Sequence, residues 1–147
     1  MGKVAFCVFI NRSQQDVFDF LSNPANLSKW SSAFESAEWA TSGAPGVSST
    51  YRVSARILGS KKEGSFEIVR WDRPNFYSYK MTKHVFPIER IESTISLEPM
   101  NNGTQVTFES QFEIVGVLKF AEGFFTRMGE KQDGRNFEIA KQILEAG

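Results

Sequence analysis

Residues 91–114 read IESTISLEPMNNGTQVTFESQFEI. In the first half Ile91, Ser93, Ile95 and Leu97 alternate with Glu92, Thr94, Ser96 and Glu98. In the second half Val106, Phe108, Ser110, Phe112 and Ile114 alternate with Gln105, Thr107, Glu109, Gln111 and Glu113. A period of two sends the two sets to opposite faces of a strand. Between the runs stands Met100-Asn101-Asn102-Gly103, and Asn-Gly is a strong short signal for a hairpin turn. One face is apolar and the other charged. The segment therefore reads as part of an antiparallel sheet covered on one side and wet on the other.

The same period extends upstream. Tyr51, Val53, Ala55 and Ile57 alternate with Arg52, Ser54 and Arg56, and Phe66 and Ile68 flank Glu67. Asp72-Arg73-Pro74-Asn75 is a turn, and residues 76–82 form a tyrosine-rich strand. Residues 35–40 are a weaker strand, followed by a loop at Thr41 to Gly46. Val4, Phe6, Val8 and Ile10 alternate in an opening strand. Ser13 then caps a helix carrying Val17, Phe20 and Leu21, which stops before Pro24. Leu27 and Trp30 belong to a second short helix. The cover for the sheet comes from a long helix over residues 117–146, with Leu118, Ala121, Phe125, Met128, Ile139 and Ile143 at helical spacing. Gly123 and Gly129 loosen it, each by about 1 kcal/mol relative to alanine.

Composition narrows the function. The chain has 147 residues, which predicts one domain over 1–147. Lys+Arg and Asp+Glu are both 17, so no basic excess draws in nucleic acid. No run reaches the ~18 apolar residues of a membrane span. The short apolar N-terminal run lacks a cleavage site, and the default expectation is a cytoplasmic protein. A single cysteine, Cys7, and a single histidine, His84, predict no intrachain disulfide and no metal site, and no cofactor is expected. Phenylalanine is unusually frequent, 14 of 147, which suggests a wide apolar interior.

The order of elements, with local motifs along nearly the whole chain, resembles the SRPBCC superfamily. Val8-Phe9-Ile10-Asn11-Arg12-Ser13 with Val17-Phe18-Asp19-Phe20-Leu21 is similar to its opening strand and helix. Asn26-Leu27-Ser28-Lys29-Trp30 is similar to its tryptophan-ended second helix, and Gly46-Val47-Ser48-Ser49-Thr50-Tyr51-Arg52 to its glycine-led third strand. Ile68-Val69-Arg70-Trp71-Asp72-Arg73-Pro74 matches its strand, aspartate and proline turn. Leu97-Glu98-Pro99 with Asn102-Gly103-Thr104-Gln105-Val106-Thr107 matches its last hairpin. The resemblance covers START lipid-transfer domains, birch-pollen-allergen-like proteins and polyketide cyclases, and it lies toward the polyketide cyclase/dehydratase and lipid-transport-like branch. It implies an α+β helix-grip fold: a curved antiparallel sheet of about seven strands, two short helices after the first, and a long C-terminal helix across the sheet. It also implies a deep apolar cavity between sheet and helix. Members bind lipids, steroids, polyketides or other hydrophobic metabolites, and only some are enzymes.

By alternation the inward face carries Tyr51, Val53, Ala55, Phe66, Ile68, Ile91, Ser93, Ile95, Phe108, Ser110 and Phe112, and the helix adds Phe125 and Met128. On residue pattern alone these form either a close-packed core or the wall of a pocket. The resemblance favours the pocket, with Tyr51, Ser93 and Ser110 orienting a guest of ~300–1,000 Å³. Those hydroxyls could instead be satisfied by neighbouring backbone. His84 sits in a loop with no orienting partner in view and reads as non-catalytic. Cys7 reads as an inert small hydrophobe. Glu67, Glu92, Glu98, Glu109 and Glu113 fall on the outward phase, and no inward carboxylate can be assigned. Gln132 and Arg135 interrupt the helix stripe. Either they face solvent, or Arg135 holds an anion at the cavity mouth. Phe120, Phe124 and Phe125 are too crowded to face one way, which leaves a homodimer open.

The expected function is binding of a small hydrophobic ligand for carriage, sensing or sequestration, without catalysis. Alternatives are a polyketide cyclase/dehydratase-like enzyme and a non-catalytic protein-docking subunit.

Overall fold

The computed structural model describes residues 2–57, 59–83 and 87–147. Strand β1 (Gly2–Ile10) leads into helix α1 (Gln14–Ser22), a 3-10 turn (Pro24–Asn26) and helix α2 (Leu27–Trp30). Six strands follow: β2 (Phe34–Trp39), β3 (Thr50–Ile57), β4 (Ser60–Asp72), β5 (Phe76–Lys83), β6 (Ile88–Met100) and β7 (Gly103–Ile114). A second 3-10 segment (Gly116–Ala121) passes the chain to helix α3 (Glu122–Ala146). The long helix thus begins later than its apolar spacing suggests.

The seven strands form one antiparallel sheet in the order β1-β7-β6-β5-β4-β3-β2. Strands β2 to β7 are a meander, and β1 closes on β7 with Phe6 opposite Phe108. The first two strands in sequence are therefore the two edges of the sheet. Residues 11–33 must cross from one edge to the other, which stretches α1 and α2 over one end of the inner face.

The β6–β7 hairpin turns over Met100 to Gly103, as the sequence reading has it. Met100 pairs with Gly103, so the loop is Asn101-Asn102, at φ 48° and 66°. Both values are positive, as the tight two-residue hairpin turn requires, and asparagine tolerates them. Gly103 is already in the strand and serves another purpose. A Cβ there would lie 2.7 Å from the Ile10 carbonyl oxygen and 2.6 Å from Phe9 Cζ. Gly103→Ala is therefore expected to cost about 1–3 kcal/mol, as overpacking does. Urea unfolding should show a lower midpoint at unchanged slope.

Helix α1 starts where Ser13 Oγ accepts the Asp16 amide at 3.2 Å. It buries Val17, Phe18 and Leu21, whereas Phe20, placed in the stripe by spacing, is only half-buried. Phe18 meets Trp71 and Tyr77 edge-on at centroid distances of 5.0 and 5.3 Å.

Helix α3 lies on a different face from the one its apolar spacing indicates. Its buried residues are Asn136, Phe137, Ala140 and Leu144. Met128, Ile139 and Ile143 are 45, 38 and 37% exposed. Phe137 decides the rotation: its ring sits 5.3 Å from Phe6, 5.1 Å from Trp30 and 5.1 Å from Phe108. Asn136 reinforces it, its Oδ1 accepting the Ser32 amide at 3.2 Å and its Nδ2 donating to Ser31 Oγ at 3.4 Å. The helix runs unbroken through Gly123, and a Cβ there would meet nothing within 4 Å. Gly123→Ala should raise stability by about 0.5–1 kcal/mol, visible as a higher melting temperature.

Candidate functional site

Between the inner face of the sheet, the α1–α2 crossing and α3 lies a cavity of about 130 Å³. Its floor is Tyr51, Phe66, Ile68, Ile91, Ser93, Ile95, Phe108 and Ser110, all picked out by alternation in the sequence. Cross-strand register explains why they meet. Ser93 lies opposite Ser110, Ile95 opposite Phe108, and Tyr51 opposite Phe66.

Five residues expected at the site do not line this cavity. Val53 belongs instead to a surface depression described below. Ala55 and Phe112 are buried in the packed part of the interior. Phe125 is half-buried against the core. Met128 is exposed, because α3 is rotated by Phe137.

Nine further residues complete the wall, among them Trp30, Phe34, Tyr77, Tyr79 and Asp133. Tyr77 and Tyr79 alternate with Ser78 and Lys80, so the period-two signal for them was present in the strand. Asp133 had no such signal. The segment Asp133-Gly134-Arg135 reads as the polar side of a helix, and only the packing of its neighbour Phe137 turns that side inward.

The aromatic walls contact one another. Tyr51 stacks on Phe66 at 5.4 Å, and Tyr79 stands edge-on to Phe66 at 5.6 Å and stacked on Tyr77 at 6.1 Å. The Ser93 and Ser110 hydroxyls bond to each other at 2.9 Å, rather than to backbone. Burial pushes the Tyr51, Tyr77 and Tyr79 phenols up, so all stay neutral at physiological pH. Burial also pushes the Asp133 carboxyl up to about 6. Among the described residues no hydrogen bond or ion pair compensates it. Trp30 Nε1 is buried without a hydrogen-bond partner among the described residues.

Other candidates fall away. Arg135 is exposed and does not reach the cavity, while Gln132 Nε2 donates to Ser32 Oγ at 3.1 Å. Glu92, Glu98 and Glu109 are exposed on the outer face. Cys7 is exposed, not buried, with its Sγ 3.6 Å from Thr107 Oγ1. His84 lies outside the described residues. A wider depression of about 430 Å³ runs over β2, β3 and β4, lined by Ser36, Glu38, Arg52, Ser54, Glu63 and Lys83 among others. It is a shallow surface feature of mixed polar and apolar lining, and Arg52 already pairs with Glu38 at 3.1 Å. The aromatic cavity, with its apolar lining, is the better-built site. Among the described residues no three His, Cys, Asp or Glu side chains group as metal ligands, and no helix is long and apolar enough to cross a membrane.

Known structures share this architecture. TTHA0849 from Thermus thermophilus superposes with a TM-score of 0.81 at 17% identity, over 98% of this chain and 97% of that one. Ara h 8.0201 gives 0.75 at 16% identity, over 99% and 98%. The di-domain ARO/CYC protein BexL of the BE-7585A biosynthetic pathway gives 0.78 at 14% identity. There 97% of this chain covers 46% of that protein, so the chain spans about half its length. At such identities the likeness shows the fold, which is the helix-grip fold. No curated protein matches the sequence. The model of one family, described as polyketide cyclase / dehydrase and lipid transport, matches residues 1–137. With that match spanning nearly the whole chain, and with the sheet and helices arranged as described, the protein belongs to the polyketide cyclase / dehydrase and lipid transport family.

Proposed function

We propose that the protein binds a small hydrophobic ligand in the cavity between the sheet and helices α1 to α3. The observation that carries this reading is a cavity walled by aromatic and aliphatic side chains in a family described by lipid transport and polyketide chemistry. Tyr51, Phe66, Ile68, Ile91, Ile95 and Phe108 supply apolar contact, and Ser93 and Ser110 a polar spot on the floor. Val53, Ala55 and Phe112 back the wall rather than touch the guest. The volume of about 130 Å³ lies below the ~300–1,000 Å³ of drug-sized sites, so the closed form suits a guest of about one ring. A longer lipid or polyketide requires α3 or the α1–α2 crossing to move outward.

The experiment is native mass spectrometry of freshly purified protein, followed by titration with an apolar probe read through tryptophan fluorescence, since Trp30 lines the cavity. Saturable binding near one to one is expected. Ser110→Leu, which pushes a branched side chain into the cavity, should weaken it about tenfold or more while leaving the protein folded. Equal binding by wild type and Ser110→Leu places the ligand elsewhere.

A second reading, a cyclase- or dehydratase-like enzyme, is favoured by one observation. Asp133 is a carboxyl facing an apolar cavity and poised at about 6, a value suited to proton transfer near neutral pH. Turnover abolished by Asp133→Asn, with ligand affinity retained, would establish it over carriage.

A further inference from the structure

Asp133 is the one charged side chain among the described residues lining the cavity. It shares the lining with Tyr51, Phe66, Tyr77 and Tyr79, whose rings touch one another. Asp133 is half-buried, and a carboxylate drawn partly out of water is stabilised by a cation or by strong hydrogen-bond donors. Among the described residues no lysine, arginine or histidine lines the space, and no donor hydrogen-bonds to the carboxyl. Aromatic faces in turn attract a cation through the negative potential of the ring face, most strongly where water is excluded. The missing partner is thus positive, compact and apolar on its other side. We propose that the cavity selects a small organic amine, with the ammonium group on Asp133 and the hydrocarbon body against the aromatic wall.

This rests on the ligand-binding reading and adds charge and size to it. A cavity of about 130 Å³ takes a body of about one six-membered ring. The titratable groups facing Asp133 are Tyr51 on β3 and Tyr77 and Tyr79 on β5; α1, α2 and the other strands contribute none to the wall. Burial keeps those phenols neutral. Among the described residues of the wall Asp133 alone therefore changes charge between pH 5 and 7.5, and rising pH favours the amine.

Three probes of one skeleton test this: cyclohexylamine, cyclohexanol and cyclohexanone, with isobutylamine and isobutanol as a smaller pair. Calorimetric titration is run at pH 7.5 and 5.0 on the wild type and on Asp133→Asn. At pH 7.5 the wild type is expected to bind an amine about tenfold or more tighter than its alcohol, the worth of a charge-assisted hydrogen bond. The preference should shrink at pH 5.0 and vanish in Asp133→Asn. Equal affinity for amine and alcohol in the wild type overturns the inference and leaves the ligand-binding reading intact. Cyclohexanone binding that tightens as pH falls also overturns it, showing a protonated Asp133 donating to a carbonyl. Failure of every probe to bind both proteins overturns the inference and the cavity reading together.

Discussion

Asp133→Asn is expected to make the protein more stable at pH 7.5 and to leave it unchanged near pH 3. Burial raises the folded carboxyl to about 6 from an ordinary 3.8. Below both values Asp133 is protonated whether folded or unfolded, and it contributes nothing. Between them the unfolded chain releases its proton while the folded one keeps it, so folded protein binds more protons and stability falls as pH rises. Above 6 the loss is complete. The gap bounds it at about 3 kcal/mol, and water reaching this partly buried group reduces it to about 1–2 kcal/mol. Asparagine removes that dependence. Two carboxylates act the opposite way: the Arg12 hydrogen bond lowers Asp16, and the Asn11 amide with Lys141 lowers Glu145. Their contributions fade as pH drops through the acid range, and both persist in the variant. Urea titrations of the two proteins at pH 3, 5 and 7.5 measure the difference. A stability gap that does not change with pH would show that Asp133 is not desolvated.

Phe137→Ala is expected to have the largest effect on stability, about 3–5 kcal/mol, the usual cost of emptying a buried phenylalanine site. The ring is 3% exposed and joins Phe6 on β1, Trp30 on α2 and Phe108 on β7. Removing it opens a hole where three elements converge and frees α3 to rotate. The variant should melt well below the wild type, and its cavity should lose selectivity because Asp133, one turn away, is no longer held inward. Phe137→Leu, which keeps most of the volume, should recover most of the stability. If Phe137→Ala costs under about 1 kcal/mol, α3 is held by something else.

The strands were legible because alternation is a local property. Phe66, Ile68, Ile95 and Phe108 face the same way whichever strands become neighbours, so the cavity floor could be read before the order of strands was known. The same logic would have found Tyr77 and Tyr79. Helix α3 shows where such reading ends. Its apolar residues lie on more than one side, and Met128, Ile139 and Ile143 form as regular a stripe as the one that is buried. The inward stripe contains Asp133 and Asn136, two residues that hydrophobic spacing counts against it. Asn136 is tolerated because Ser31 and Ser32 satisfy its amide.

By itself, then, the chain specifies a two-period sheet with one apolar face, a capped helix after the first strand, a tight asparagine hairpin and a long closing helix. These follow from side-chain periodicity and backbone preference over a few residues. Tertiary packing alone decides that β1 returns to pair with β7, that Phe137 sets the rotation of α3, and that Gly103 admits Phe9 and the Ile10 carbonyl. It alone places a carboxylate inside an aromatic cavity. Those outcomes depend on contacts between residues roughly a hundred or more positions apart in several cases, where the deciding term is which surfaces fill each other's volume, and no local pattern encodes that.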